Sequence, residues 1–324
     1  MAVIGTGDFT YEVSGDNWGH LPDGWSYREA TAVAVDSKDN VYVFNRGEHP
    51  VIVLDKSGNF VRSWGEGVHT SAHGVNVGPD DSIYCVDAGD HSLRKYSPEG
   101  ELLMTIGEPG TAAERDSGDP FRNPTHSAVN VDTGDIYISD GYSNARVHKY
   151  DAHGERILSW GRSGTEPGEF NTVHNIAVDR SGMVYVADRE NQRIQVFDPD
   201  GNFVSQWKDL AKTSCIAIVS QGGAELAYVG EMYAGLPDNP MGWGNWVAKR
   251  LGPRVSVLDL QGNIVARVGD ARSGLDAGQF IAPHGISVDS QGHIYLAEVS
   301  YSAYGSRQTP PREVRSLQRL DPTG

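Results

Sequence analysis

The feature that most constrains the fold is an internal repeat that runs through nearly the whole chain. Each unit is predicted to contain a short apolar strand, a turn, a second strand of the V/I-Y-V type, a third strand, and a glycine turn before a fourth strand. Asp, Asn, Ser and Gly at the turns, with alternating Val, Ile and Tyr between them, favour antiparallel hairpins. A unit of four strands that recurs at a period of about forty residues predicts propeller blades. The first turn recurs as VDSKDNVYVF, VGPDDSIYCV, VDTGDIYIS, VDRSGMVYVA and VDSQGHIYLA.

The number of units predicts an all-β, six-bladed β-propeller that occupies residues 1–324 as a single domain. The sixth unit begins near His284 and lacks a fourth strand of its own. We predict that the N-terminal segment Phe9–Val13 supplies that strand and closes the ring, which removes an exposed sheet edge. The unit resembles the NHL type of propeller repeat. The five complete units begin near Thr31, His73, Ser127, His174 and Ser214.

Composition excludes several classes of protein. Hydrophobic residues make up 38% and charged residues 22%, which is typical of a globular protein with a core. The net charge of −16 speaks against a nucleic-acid partner, which requires clustered Lys and Arg. Cys85 and Cys215 lie in hydrophobic stretches and are predicted to be buried free thiols. The chain shows neither a membrane span nor a signal-peptide pattern, which predicts a cytoplasmic protein without a membrane partner; its oligomeric state is not predicted.

Alignment of the units places one equivalent residue on each blade, at the start of its first strand. These residues alternate between hydroxyl and imidazole side chains, so three histidines are expected about 120° apart around the central channel. Three neutral imidazoles with an open fourth position are the arrangement of a catalytic zinc site, although cobalt, iron or manganese would accept the same ligands. A single histidine at this position would usually be a hydrogen-bonding residue. The alternation of hydroxyl and imidazole side chains around the ring favours a metal site instead. In ring order the residues are Thr31, His73, Ser127, His174, Ser214 and His284.

The residues that end the second strands lie on the same face as the three histidines. They include Arg46, Tyr142 and Arg189. An arginine beside a metal binds a substrate carboxylate or phosphate through its planar fork. A tyrosine beside a metal and a cation can act as a general base. Each residue alone could be a loop ion pair or a surface aromatic, but together with the histidines they predict an active site.

Further residues are candidates for lining the substrate site. His126 precedes the aligned Ser127 and is expected to reach the site only from the side, whereas His49 can line the face. Blades five and six carry long aromatic insertions between their second and third strands, which are either drifted surface loops or added function. The candidate substrate-lining residues are His126, His49, Thr31, Ser127, Ser214, Tyr233, Trp243, Trp246, Tyr301 and Tyr304.

Five segments resemble the peptidyl-α-hydroxyglycine α-amidating lyases in order and blade position: FNRGEH, SAHGVNV, SDGYSNAR, TVHNIAVDRSGMVYVADRENQR and APHGISVD. The resemblance implies cleavage of the N–C bond of an N-acyl-α-hydroxyglycine to an amide and glyoxylate. The substrate would be a small molecule or peptide with a carboxylate or hydroxyl next to an amide. The implied zinc ligands are His73, His174 and His284, and the implied catalytic residues are Arg46, Tyr142 and Arg189.

Two positions depart from that family. Gly285 stands where the family has an aspartate that contributes to a structural calcium site, which speaks against calcium here. Ser143 replaces a cysteine, so the corresponding disulfide is absent.

Two other functions remain open from the sequence. The same three histidines could serve a metal-dependent hydrolase or hydratase that acts on a small ester, lactone or amide. Propellers with lactonase activity usually hold calcium with carboxylates and Asn, so this alternative ranks second. The third is a non-catalytic NHL interaction module, which has no need of the Arg, Tyr and His residues gathered on one face.

Overall fold

The computed structural model describes residues 2–15, 18–233, 251–270 and 272–323 and contains six antiparallel sheets, the blades of a β-propeller. Trp243 and Trp246 lie outside these residues. No helix of the described residues is long and apolar enough to cross a bilayer. Blades one to three contain β3 (Ala30–Val35), β4 (Val41–Asn45), β5 (Val51–Leu54), β6 (Phe60–Trp64), β7 (Ala72–Val77), β8 (Ile83–Asp87), β9 (Ser92–Tyr96), β10 (Leu102–Ile106), β11 (Pro124–Val129), β12 (Ile136–Asp140), β13 (Arg146–Tyr150) and β14 (Arg156–Trp160).

The remaining elements complete blades four to six. Between its second and third strands, blade six carries the short helix α1 (Ser300–Ala303) and a 3₁₀ turn (Gly305–Arg307). The strands are β15 (Val173–Val178), β16 (Val184–Asp188), β17 (Arg193–Phe197), β18 (Phe203–Trp207), β19 (Lys212–Gln221), β20 (Ala224–Met232), β21 (Arg254–Asp259), β22 (Ile264–Val268), β23 (Pro283–Val288), β24 (Ile294–Glu298), β25 (Leu317–Pro322), and the N-terminal β1 (Val3–Thr6) and β2 (Phe9–Val13).

The N-terminal segment closes the ring as predicted. Blade six has the strand order β1-β2-β25-β24-β23, with Tyr11 opposite Pro322 and Val13 opposite Leu320. The strand β1 then pairs with β2 as a fifth, outermost strand that the repeat did not predict. The two ends of the described chain are therefore held in one sheet.

A β-bulge interrupts the pairing of the first two strands at the same place in every blade. A bulge bends its strand and redirects one side chain, so it defines the structurally equivalent position on each blade. The bulged residues are, in ring order, Thr31, His73, Thr125, His174, Ser214 and His284.

The predicted alignment was therefore wrong in blade three, where Thr125 and not Ser127 occupies the equivalent position. The reason lies in the following turn. The side chain of Asn130 accepts hydrogen bonds from the backbone N–H groups of Asp132 and Thr133. The turn thus begins at Asn130, two residues before the aspartate used for the alignment.

Adjacent blades bury the core between them. Trp64, at the end of β6, packs against the last hairpin of the next blade, where a Cβ on Gly100 would lie 2.8 Å from the indole Cδ2. Gly100 also has φ +94°, so both the turn and the contact require glycine. Cys85 and Cys215 are buried free thiols, as predicted.

A carboxylate at the end of a second strand fixes the linker that leads into its own blade. Asp87 accepts hydrogen bonds from the N–H groups of Thr70 and Ser71, at 2.6 and 2.9 Å. Asp188 accepts one from Asn171 at 2.7 Å. These anchored linkers precede the bulges and fix where the first strands begin.

Candidate metal centre

Three imidazoles from alternate blades converge at the propeller axis. His73, His174 and His284 are 2%, 1% and 4% exposed, and each offers a ligand nitrogen within 4.8 Å of the other two. Their ring centroids lie 4.6–5.0 Å apart. This group, called the His tripod below, matches the expected arrangement.

The next blade fixes the orientation of each imidazole. Every Nδ1 lies within hydrogen-bonding distance of a backbone carbonyl at the bulge of the following blade. Because a carbonyl oxygen only accepts, each Nδ1 carries the hydrogen and each Nε2 carries the lone pair that a metal would bind. The pairs are His73 with Thr125 at 2.6 Å, His174 with Ser214 at 2.6 Å, and His284 with Thr31 at 2.7 Å.

Two of the hydroxyl residues between the histidines bond to backbone carbonyls of their own blades. The hydroxyls of Thr31 and Ser214 donate to the carbonyls of Phe44 and Gly230 in their own blades, both at 3.0 Å. Thr31, Ser127 and Ser214 are 0% exposed, so they present no open surface to a substrate. Their predicted contact with substrate has no support in this geometry.

The electrostatic setting keeps the tripod neutral. Burial, followed by the positive charge of Arg46, lowers the pKa of His284 to about 3. Burial also holds the pKa values of His73 and His174 well below the ordinary range, and the charges of Arg46 and Arg189 respectively add to this effect. Neutral imidazole is the form that binds metal. Three such donors suit a divalent transition metal, whereas calcium prefers oxygen ligands.

Tyr142 lies directly against the tripod. Its hydroxyl is 2.9 Å from Nε2 of His73 and 3.1 Å from Nε2 of His174. The side chain follows β12 and remains 39% exposed, so a molecule on this face can reach it. The structure thus brings together a phenol and two of the three candidate ligands.

Arg189 approaches Tyr142 from the next blade. Its Nη1 is 3.4 Å from the phenol oxygen, and its Nε donates to Glu190 at 2.9 Å. Lys212 also pairs with Glu190, at 2.8 Å. Although burial opposes it, the charges of Arg189 and Lys212 hold the pKa of Glu190 below its usual value. The ionised Glu190 fixes the guanidinium beside the phenol.

Arg46 occupies the other side of the tripod. Its Nη1 donates to Glu29 at 2.7 Å and its Nε to the carbonyl of Ala72 at 3.3 Å. Glu29 is buried and also accepts two hydrogen bonds of 2.7 Å from the N–H and the hydroxyl of Ser302, in α1. Arg46 borders a cleft of about 370 Å³.

Sequence reasoning missed the two carboxylates that hold these arginines. Glu190 directly follows Arg189, so its adjacency was an available signal. Glu29 precedes the first repeat unit. Its position offered no signal beyond an acidic residue beside a buried strand.

The other predicted lining residues lie in several different surroundings. His49 stacks on Trp25, with ring centroids 3.3 Å apart, and borders an outer cleft. His126 follows the bulge instead of preceding it, and its ring lies against Gly74 of blade two. Tyr301 borders the cleft beside Arg46, whereas Tyr233 and Tyr304 are half-buried.

Comparison with known proteins agrees with this architecture. The NHL repeat profile matches residues 170–197. NHL repeat-containing protein 3 of Mus musculus is 31% identical over 283 residues, which cover 82% of this chain and 76% of that protein. The chain belongs to the NHL repeat family.

Other relatives of the chain are named as lyases. Peptidyl-alpha-hydroxyglycine alpha-amidating lyase 1 of Drosophila melanogaster is 28% identical over 312 residues, or 83% of this NHL-repeat chain and 55% of the relative. The chain therefore spans about half the length of that relative. Among solved structures, virginiamycin B lyase from Staphylococcus aureus has a TM-score of 0.56 at 12% identity, covering 93% of this chain and 83% of that one. That likeness concerns the fold, and the sequence relatives support a lyase-like propeller.

Proposed function

We propose that this protein is a zinc-dependent lyase that cleaves the N–C bond of an α-hydroxy amide, similar to a peptidyl-α-hydroxyglycine, into an amide and an aldehyde such as glyoxylate. The observation that carries the proposal is the contact of Tyr142 with two imidazoles of the His tripod and with Arg189. The named lyase among the relatives supports the same chemistry.

The tripod would hold Zn²⁺ through His73, His174 and His284. When bound there, the ion would supply Lewis acidity that makes the substrate hydroxyl easier to deprotonate. The three Nδ1–H groups stay on their carbonyl partners, so the imidazoles keep one orientation throughout the reaction.

Tyr142 would carry the proton. Its phenol oxygen would accept the hydrogen of the substrate hydroxyl. The electron pair of that O–H bond forms the carbonyl of the aldehyde while the C–N bond breaks. The leaving nitrogen receives the proton and becomes the amide. The step needs no redox cofactor and no protein nucleophile.

The two arginines would divide the remaining tasks. Arg189, 3.4 Å from the phenol, stabilises negative charge on the Tyr142 oxygen. Arg46, held by Glu29 on the other side of the tripod, binds the carboxylate that leaves as part of glyoxylate. Both guanidiniums are already oriented by carboxylates, which lowers the cost of ordering them on binding.

The test combines metal analysis with one substrate. We expect about one zinc per chain and conversion of α-hydroxyhippurate to benzamide and glyoxylate. His174→Ala should lose both the metal and the activity, whereas the exposed His153→Ala should keep both. A metal-loaded protein that ignores α-hydroxyhippurate but opens esters or lactones would contradict the lyase, and a protein that binds no metal would contradict the whole proposal.

A further inference from the structure

The cleft beside Arg46 contains a second arginine. Arg28 and Arg46 both border the cleft of about 370 Å³, together with Tyr301 of blade six. The two arginines also border the adjoining outer cleft of about 450 Å³, which is lined by Trp25 as well. These volumes fall within the range of small-molecule sites. A molecule whose carboxylate is held by Arg46 can therefore reach Arg28 within the same cleft.

Arg28 has no acidic partner among the described residues. Its guanidinium carbon lies 5.1 Å from the centroid of the Tyr301 ring, and no carboxylate lies within ion-pairing distance of it there. Contact with an aromatic ring uses the face of the guanidinium and leaves the N–H groups at its edge available. The edge of one guanidinium matches a carboxylate in a two-point contact.

None of the acidic residues that border the two clefts forms an ion pair with Arg28 among the described contacts. Glu29 bonds to Arg46 and to Ser302. Glu48 and Glu313 border only the outer cleft, and neither forms an ion pair with Arg28. Arg28 therefore borders both clefts without a carboxylate paired to it among the described residues. A bound anion would supply the missing partner.

We infer that Arg28 is a specificity-determining residue, which binds a second carboxylate on the acyl side of the substrate, further along the cleft from the one held by Arg46. The inference rests on the proposed function. It narrows the substrate class to N-acyl-α-hydroxyglycines whose acyl group is itself anionic. Tyr301 contributes the surface against which the Arg28 guanidinium packs.

The test compares two substrates that differ by one carboxylate. These are α-hydroxyhippurate and its derivative with a 4-carboxylate on the benzoyl ring. We expect the wild-type protein to prefer the 4-carboxy substrate about 10- to 100-fold in kcat/KM, the usual effect of a charged hydrogen bond. Arg28→Gln should abolish that preference. Arg180→Gln removes an exposed charge from a β15–β16 turn on the opposite face and should retain it.

Equal kcat/KM for the two substrates in the wild-type protein, or a preference that survives Arg28→Gln, would overturn the inference while leaving the lyase in place. If neither compound is cleaved, the proposed function fails, and equilibrium binding still decides the role of Arg28. Terephthalate and benzoate are then titrated against tryptophan fluorescence, because Trp25 borders the cleft. Tighter binding of terephthalate that Arg28→Gln removes supports the subsite, and equal affinities refute it.

Discussion

The two sides of the His tripod are built differently. On one side, Arg189 touches Tyr142, which touches His73 and His174, and the carboxylate that holds this arginine is the next residue in the chain. On the other side, Arg46 makes no hydrogen bond to an imidazole or to Tyr142 within the described part of the chain, and Glu29 connects it to blade six. Under the proposed function, this difference assigns the chemistry to the Tyr142 side and substrate binding to the Arg46 side.

Removal of the phenol should have the largest effect. In Tyr142→Phe, the ring remains but the proton acceptor is lost, so kcat should fall about 10²- to 10⁴-fold. Zinc content, measured by elemental analysis, should stay at the wild-type level because the tripod is untouched. Ser143→Ala, at the adjacent residue, is the matched control and should retain kcat. Residual activity close to wild type would assign the proton transfer to another group.

Equivalent substitutions of the two arginines should separate their roles. Arg189→Gln removes the charge beside the phenol and should lower kcat about 10- to 100-fold with little change in KM. Arg46→Gln should instead raise KM over a similar range, because it removes a contact to the substrate carboxylate in ground state and transition state alike. Steady-state kinetics on α-hydroxyhippurate measure both. If both variants changed kcat alone, the two sides would not differ in function.

The tripod should make the metal-free protein sensitive to acid. The pKa of His284 in the folded state is lowered to about 3, below the ordinary 6.5. Well above pH 6.5 neither the folded nor the unfolded form is protonated at this residue, so it adds no pH dependence to the stability. As the pH falls from 6.5 toward 3, His284 binds a proton in the unfolded chain but not in the folded chain. Stability should then decrease by up to about 1.4 kcal/mol per pH unit for each such histidine.

Thermal unfolding in chelator at pH 7.5 and pH 5.0 measures this effect. His284→Asn should reduce the loss of Tm between the two pH values, because one of the contributing groups is gone. His153→Asn, in an exposed turn, should leave the loss unchanged. An identical loss in His284→Asn and the wild-type protein would show that His284 takes up its proton as readily folded as unfolded.

Local sequence was sufficient to predict the propeller and the tripod because each hairpin turn is specified by residues within it. Asp36, for example, accepts hydrogen bonds from the N–H groups of Lys38 and Asn40, and the equivalent turns repeat the pattern. The prediction failed where two residues could fill the same role. In the segment NVDTGD, Asp132 resembled the residue that begins the turn, but Asn130 performs that function. The alignment therefore placed the equivalent position two residues too late, at Ser127.

Contacts between distant segments could not be predicted in this way. Glu29 and Ser302 are 273 residues apart, and only closure of the ring brings blade six against blade one. Arg28 meets Tyr301 for the same reason. The Tyr142 side was visible in the sequence because its residues belong to the repeat. The Arg46 side depends on segments outside the repeat.

The smallest expected effect tests whether the contact between Glu29 and Ser302 contributes to substrate binding. Ser302→Ala removes the hydroxyl bond to Glu29 and leaves the backbone bond of Ser302 in place. Loss of one hydrogen bond to a charged, buried acceptor loosens Glu29 and thereby Arg46, so KM should rise about fivefold while kcat stays constant. Ser57→Ala, at an exposed serine in the β5–β6 turn, should change neither constant. A raised KM in Arg46→Gln with none in Ser302→Ala would mean that Glu29 holds Arg46 without help from blade six.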